Sequence, residues 1–232
     1  MLSSITTPPK GAVGTPVAEL AVSGEVRRSV ASLFAAGRGR ELFVLEEVEL
    51  GVGRPDLLAI ATSRVAMEAR ARRGQRLDTL SEAEILASSL EGSPSRYSAG
   101  HQRTVLAGLR QTWGVGRSAV RPAVVDSLIV ESKMPDWGSG ARQLVRTRWA
   151  TGRSALAVPK GVASRVDRRL LGHNFLGLIS TNGRSARWEV DAPMRPITLL
   201  ADLWLGELAI RVLESACPQS DSAAANASSA TR

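Results

Sequence analysis

The chain of 232 residues contains one cysteine, Cys217, and two histidines. A single thiol excludes an intramolecular disulfide and a cysteine-based zinc cluster, and two histidines argue against a histidine-based metal site. No uninterrupted apolar run of about 18 residues is present, so we expect no membrane partner. The N-terminal residues lack the basic and apolar regions of a secretory signal, and we expect a cytoplasmic, reduced setting.

Lysine is also scarce: only Lys10, Lys133 and Lys160 occur among 30 basic residues. Since the chain uses arginine for general positive charge and the two side chains are not interchangeable, a lysine in an ordered segment is a candidate for a specific role. The net charge of +8 favours a polyanionic partner, with nucleic acid ahead of an anionic membrane. The alternative is an arginine-rich protein with no such partner.

Length and a hydrophobic content of 44% suit one domain with an insertion, or two small domains. Residues 1–20 are rich in Pro, Gly, Ser and Thr and are predicted to be a flexible lead-in, and the small polar residues 216–232 a disordered tail. The rest divides into an α/β core, residues 21–63 and 124–215, and a helical insertion, residues 64–123.

The core elements are predicted in the order helix, strand, strand, strand, helix, strand. They cover residues 24–37, 41–50, 54–60, 123–133, 135–150 and 154–160. A short helix and a strand pair around Asn182-Gly183 follow. The apolar helix over residues 197–213 is interpreted as a core or dimer helix, so a homodimer is one interpretation of the chain.

Three polar residues lie at the ends of apolar strands. Asp56 begins the second strand, and Glu131 ends the third with Lys133 two positions later. Alternation places Ile129, Glu131 and Lys133 on one face. If Asp56 faces them, two carboxylates and the Ser132 carbonyl can hold Mg²⁺ or Mn²⁺, and Lys133 can stabilise charge that develops on a phosphate. A surface Glu131–Lys133 ion pair is the alternative.

The sequence resembles the PD-(D/E)XK superfamily of restriction-endonuclease-like nucleases over about half its length. The matching stretches are EVELGVGRPDLLAI, LIVESKMPDW and ARQLVRTRWATG followed by SALAVP. The family core has the element order predicted above, with a mixed central sheet flanked by helices. The resemblance implies that Asp56, Glu131 and Lys133 are the catalytic triplet. It also implies that Gln143 lies near the site.

Many members of the family carry a glutamate in the first helix that completes the metal site, and Glu25 fits this position. A helix acid favoured by the macrodipole is an equal alternative for Glu25. Three further acids, Glu46, Glu47 and Glu49, compete as metal neighbours, and the sequence does not decide among them. The chain departs from the family in one respect, since 75 positions separate Asp56 from Glu131 (131 minus 56).

The insertion is predicted to hold three helices and a glycine-containing hairpin. This order fits a winged helix-turn-helix, or a subdomain that only packs against the core. In the first interpretation the helix from Ser98 to Leu109 approaches a DNA groove with Arg103 near its start, and Arg117 in the hairpin binds phosphate. His101 on the same helix is interpreted as a surface residue.

The helix after Glu131 carries Arg142 and Arg146 one turn apart, a spacing suited to two phosphates. Trp137 and Trp149 at its ends are interpreted as core residues. Together these features predict a nuclease that cleaves DNA, single- or double-stranded, with a metal-activated water. The alternatives are a catalytically inactive DNA-binding regulator on the same fold, and an assembly protein.

Overall fold

The structure, a computed structural model, describes residues 4–6, 17–34, 40–51, 53–114, 120–133 and 136–216. Within these ranges the chain forms one mixed sheet of seven strands that lie side by side in chain order. The strands are β1 (Ser4–Thr6), β2 (Arg40–Glu46), β3 (Leu57–Ser63), β4 (Val124–Ser132), β5 (Arg153–Pro159), β6 (Gly177–Thr181) and β7 (Ala186–Val190). The predicted α/β class is confirmed.

Helices flank both faces of this sheet. They are α1 (Val17–Leu33), α2 (Arg64–Arg72), α3 (Leu80–Glu91), α4 (Ala99–Trp113), α5 (Trp137–Thr147), α6 (Lys160–Ala163), α7 (Arg168–Asn174) and α8 (Leu199–Ala216). A single 3-10 turn follows α5. In the described part of the chain, no helix is both long enough and apolar enough to cross a membrane.

The centre of the sheet combines two directions of pairing. Strands β2, β3 and β4 form an antiparallel meander, whereas β4, β5 and β6 run parallel. Parallel neighbours need a crossover, and α5 supplies it between β4 and β5. The order helix, strand, strand, strand, helix, strand that the sequence predicts is therefore present in α1, β2, β3, β4, α5 and β5.

The two faces of the sheet bury separate apolar clusters because side chains alternate along each strand. On β4, Leu128 and Val130 join the cluster beneath α1, whereas Ile129 joins the cluster beneath α5, α3 and α8. Full burial of such a side chain contributes about 1.5–3 kcal/mol. This alternation fixes which residues at the end of β4 face α5.

Two boundaries differ from those predicted. Ser4–Thr6 pair with β2 and α1 begins at Val17, so residues 1–20 do not form a single flexible lead-in. Edge pairing of three residues depends on backbone hydrogen bonds, which composition does not reveal. Strand β2 ends at Glu46 because Glu47 has a φ of 53°, a left-handed conformation that a strand does not continue through.

Helices α2 and α3 share the main core instead of forming a separate inserted subdomain. Met67 of α2 and Leu86 of α3 belong to the same cluster as Ile129 of the sheet. Trp113, which ends α4, is 1% exposed, and the buried Arg70 guanidinium lies 4.9 Å from its ring centroid. Most of the predicted hairpin lies outside the described residues, so the winged-helix interpretation is not tested.

Glu207 of α8 connects that helix to the segment after α2 through hydrogen bonds. Its side chain is 1% exposed. It accepts hydrogen bonds from Arg76 Nη2 at 2.7 Å, from Leu77 N at 3.1 Å and from Arg211 Nε at 3.3 Å. Removing one partner of such a buried charge group leaves the others uncompensated.

We therefore expect Glu207→Ala to lower the free energy of unfolding by about 3–5 kcal/mol. Glu214→Ala is the matched control, because Glu214 also pairs with Arg76 but is 59% exposed; its expected cost is about 0–1 kcal/mol. Chemical denaturation of both variants measures the difference. Equal costs would show that Glu207 does not organise this junction.

Candidate functional site

The register of β3 and β4 brings Asp56 opposite Glu131. Leu57 pairs with Val130 in this antiparallel ladder, so Asp56 and Glu131 occupy the next opposing positions, where Cβ atoms are about 4.5–5.5 Å apart. Asp56 Oδ2 accepts a hydrogen bond of 2.6 Å from Ser132 N. The structure thus brings together the two carboxylates that the sequence predicts as a pair.

Glu131 is the most unusual group in the cluster. It is 1% exposed, and neither carboxylate oxygen receives a well-aligned hydrogen bond from the described residues. Burial, followed by repulsion from Asp56, raises the pKa of Glu131 to about 8. Ionising a buried carboxylate beside a second carboxylate is costly even with Lys133 nearby, so in the free protein a pKa of about 8 keeps this group largely protonated near neutral pH.

Lys133 supplies the positive charge nearest to these acids. Its Nζ lies 3.2 Å from Glu131 Oε1 and 3.7 Å from Glu19 Oε2. Partial burial lowers the pKa of Lys133, but the charges of Asp56, Glu131 and Glu19 outweigh this effect and raise it overall. The ammonium is therefore charged. Since Glu131 is buried, the alternative of a surface Glu131–Lys133 pair does not describe this contact.

The pKa of Asp56 is also raised. Desolvation is the main cause, and the hydrogen bond from Ser132 N and the charge of Lys133 oppose it. Glu19 and Glu47 raise it further by repulsion. Glu19 and Glu47 therefore act electrostatically on Asp56, and Asp56 acts on Glu131, at a single end of the sheet.

Glu19 is the residue that the sequence analysis missed. It lies in the first turn of α1, is 7% exposed and faces Lys133. Glu25, which the resemblance implied, does not join the cluster, because its Oε2 accepts a hydrogen bond of 2.8 Å from Gly183 N in the β6–β7 turn. The two glutamates are six residues apart, about 9 Å along the helix axis. A correctly predicted start of α1 at Val17 would have placed Glu19 in the helix, but only the packing of α1 on the sheet brings it to Lys133.

The three competing acids have different partners. Glu46 pairs with Arg27 of α1 at 3.3 Å. Glu47 binds Arg54 at 2.6 Å and remains close enough to raise the pKa of Asp56. Glu49 accepts a hydrogen bond of 3.1 Å from Gly51 N. Of the three, only Glu47 acts on the site.

Helix α5 holds the site from one side. A Cβ at Gly140 would lie 2.7 Å from Lys133 Cγ and 3.3 Å from Glu131 Cγ, so only glycine allows this close approach. Gln143 Nε2 donates to Arg54 O at 2.9 Å and so fixes the loop that leads into Asp56. Gln143 lies near the site as predicted, but it acts through the backbone and does not contact the acids.

The predicted nucleic-acid contacts are spread over the surface. Arg142 and Arg146 are exposed on α5, and Arg103 is exposed on α4. Arg117 lies outside the described residues. Trp137 and Trp149 pack against the core, as predicted.

No group of three or more His, Cys, Asp or Glu side chains within the described ranges is arranged to hold a metal ion. The site instead offers two opposing carboxylates, with Glu19 beyond Lys133. The buried Glu131 oxygens, which have no hydrogen-bond partner among the described residues, and the Asp56 carboxylate opposite them are the oxygen ligands that a hard divalent cation prefers.

No protein-family model and no curated protein sequence matches the chain. Among solved structures, a protein of unknown function from Silicibacter pomeroyi matches over 89% of this chain and 94% of its own, with 13% sequence identity and a TM-score of 0.42.

The raised pKa of Glu131 makes the stability of the metal-free protein depend on pH. In the folded protein the pKa of Glu131 is about 8, whereas its ordinary value is 4.5. The contribution of protonated Glu131 to the free energy of unfolding is therefore complete below about pH 4.5 and is lost as the pH rises through about 8. We expect Glu131→Gln to be more stable than the wild type above pH 8 by about 1–3 kcal/mol. The advantage should shrink towards pH 5.

Denaturation in chelator at several pH values measures this difference. Glu189→Gln is the control, because hydrogen bonds from Ser180 and Arg187 lower the pKa of Glu189, and its variant should not gain stability as the pH rises. If the difference in free energy of unfolding between the wild type and Glu131→Gln does not change with pH, the raised pKa assigned to Glu131 is contradicted.

Proposed function

We propose that this chain is a metal-dependent phosphodiesterase that hydrolyses nucleic acid, with DNA as the expected substrate. The observation that supports it most is the buried Glu131 carboxylate, which lies opposite Asp56 with the Lys133 ammonium 3.2 Å from its Oε1 and with no hydrogen-bond donor among the described residues aligned on either oxygen. The resemblance to restriction-endonuclease-like nucleases supports the same activity, and the element order around the site agrees with it.

Asp56 and Glu131 would hold Mg²⁺ or Mn²⁺ from two adjacent strands. When bound, such an ion lowers the pKa of a coordinated water and neutralises charge on a phosphate. A cation would also give Glu131 a second positive neighbour beside Lys133, which would let the carboxylate ionise in a buried position. Mg²⁺ and Mn²⁺ suit carboxylate ligands.

The chain's own groups supply the remaining chemistry. The Lys133 ammonium can donate to a non-bridging phosphate oxygen or to the attacking water, and its compact charge sits beside both carboxylates. Glu19, on the far side of Lys133 at 3.7 Å, keeps that ammonium charged and holds it in place. Gln143 keeps the loop before Asp56 in position through Arg54 O.

Purified wild type is expected to cleave plasmid or single-stranded DNA with Mg²⁺ or Mn²⁺ and not with chelator. Lys133→Arg should remain folded yet lose about 100-fold or more of the rate, because the wide guanidinium cannot occupy the point of a compact ammonium. Lys160→Arg is the matched control, since Lys160 is exposed on α6. A fully active Lys133→Arg protein would remove Lys133 from the mechanism.

A second pair of variants separates the two helix glutamates. Glu19→Gln should slow cleavage because the charge that restrains Lys133 is lost, whereas Glu25→Gln should change stability more than rate. Initial cleavage rates at equal folded concentration test this. Slower cleavage by Glu25→Gln alone would contradict the position given to Glu19.

A further inference from the structure

Positive charge is concentrated in the segment that follows the proposed active site. Residues 136–175 contain eight basic and two acidic residues, a net of +6 (8 minus 2), whereas the whole chain has +8. Arg142 and Arg146 of this segment are exposed on α5. Among the described residues, neither forms an ion pair with a carboxylate. Their charge is therefore available to an anionic partner.

These two arginines border a groove between α5 and α7. The groove has a volume of about 320 Å³, and its walls include Val145 of α5 with Leu170 and Asn174 of α7. No acidic residue lines it. Apolar walls between two free guanidinium groups suit a ligand that has both a flat apolar part and a phosphate, as a nucleotide has.

Phe175 ends α7 in a way that packing does not explain. It has a φ of 56° at the C-cap, where glycine is the usual residue. Its side chain is 54% exposed, so the strained position gains little burial in return. It directly follows Asn174, which lines the groove. A bulky residue kept in such a conformation suggests a role outside folding.

We propose that this groove, together with Phe175, is a binding site for unpaired nucleotides of single-stranded nucleic acid. Arg142 and Arg146 bind successive phosphates, and a base lies against Val145, Leu170 and the Phe175 ring. The inference rests on the proposed nuclease function only for the cleavage of the bound strand. Binding itself needs no catalysis.

The position of the groove relates it to the acidic cluster. Gly140 faces Lys133, whereas Arg142 lies two residues on, about 200° around α5 at 3.6 residues per turn. About one helix diameter, 10–12 Å, therefore separates the groove from Lys133. A strand held in the groove can reach the cluster within a few nucleotides, and stacking of its bases requires that they be unpaired.

Binding in chelator tests this proposal without cleavage. Fluorescence anisotropy compares three labelled probes: a 12-nucleotide thymidine strand, an abasic strand with the same phosphates, and a 12-base-pair duplex. The wild type should bind the thymidine strand about 5- to 100-fold more tightly than the abasic strand. Phe175→Gly should abolish this difference in affinity (the affinity gap). The variant should keep or raise thermal stability, because glycine adopts the positive φ without strain.

Matched controls isolate each part of the site. Met194→Gly removes another exposed apolar side chain, 60% exposed, and should leave the gap unchanged. Arg142→Ala with Arg146→Ala should weaken both strands and reduce the salt slope by about 1.4, at 0.7 per phosphate contact. Arg184→Ala, at the exposed β6–β7 turn, should leave affinity nearly unchanged. Phe175→Asn, a residue that tolerates positive φ, serves as a second variant.

Equal affinity for the thymidine and abasic strands would overturn the proposal, as would a gap that survives in both Phe175 variants or a preference for the duplex. A stacking-dependent preference in a protein that cleaves nothing with any metal would support this site and reject the proposed nuclease. Cleavage without the preference would do the reverse.

Discussion

The start of β3 and the end of β4 meet at the buried carboxylate of Glu131, a group whose burial costs free energy. It lies opposite a second carboxylate, Asp56, in a position where the sheet excludes water. Taking a carboxylate out of water without hydrogen bonds costs several kcal/mol unless it is protonated or neutralised. This cost is the physical ground on which we propose that the cluster binds a cation.

The surrounding structure is arranged to hold that cluster. Gly140 allows α5 to approach within contact of the Lys133 and Glu131 stems. Gln143 fastens the loop before Asp56 to the same helix, and Ser23 of α1 donates to Ser132 Oγ at 2.9 Å from the other face of the sheet. Helices on both faces therefore converge on the last residues of β4, which gives the site little freedom to relax away from its charges.

Sequence patterns predict most of this architecture because the core strands are apolar and bounded by turns, and because Thr79 and Ser98 are cap residues that fix where α3 and α4 begin. Alternation along β4 also predicts that Glu131 and Lys133 share one face, whereas the position of Asp56 opposite Glu131 follows only from the register of β3 and β4. Patterns fail where tertiary contacts decide. The turn contact of Glu25 and the ammonium contact of Glu19 depend on how α1 lies across the sheet, and the sharing of one core by α2, α3 and α8 depends on packing between segments distant in sequence.

The central claim is that Asp56 and Glu131 form a divalent cation site that is largely protonated when empty. Calorimetric titration of Mn²⁺ at pH 7, in two buffers with different heats of ionisation, measures both binding and proton release. The wild type should bind one ion and release about one proton, since Glu131 with a pKa of about 8 must ionise to become a ligand. Glu131→Gln should lose both signals. Absence of binding, or binding with no proton release, would contradict the account.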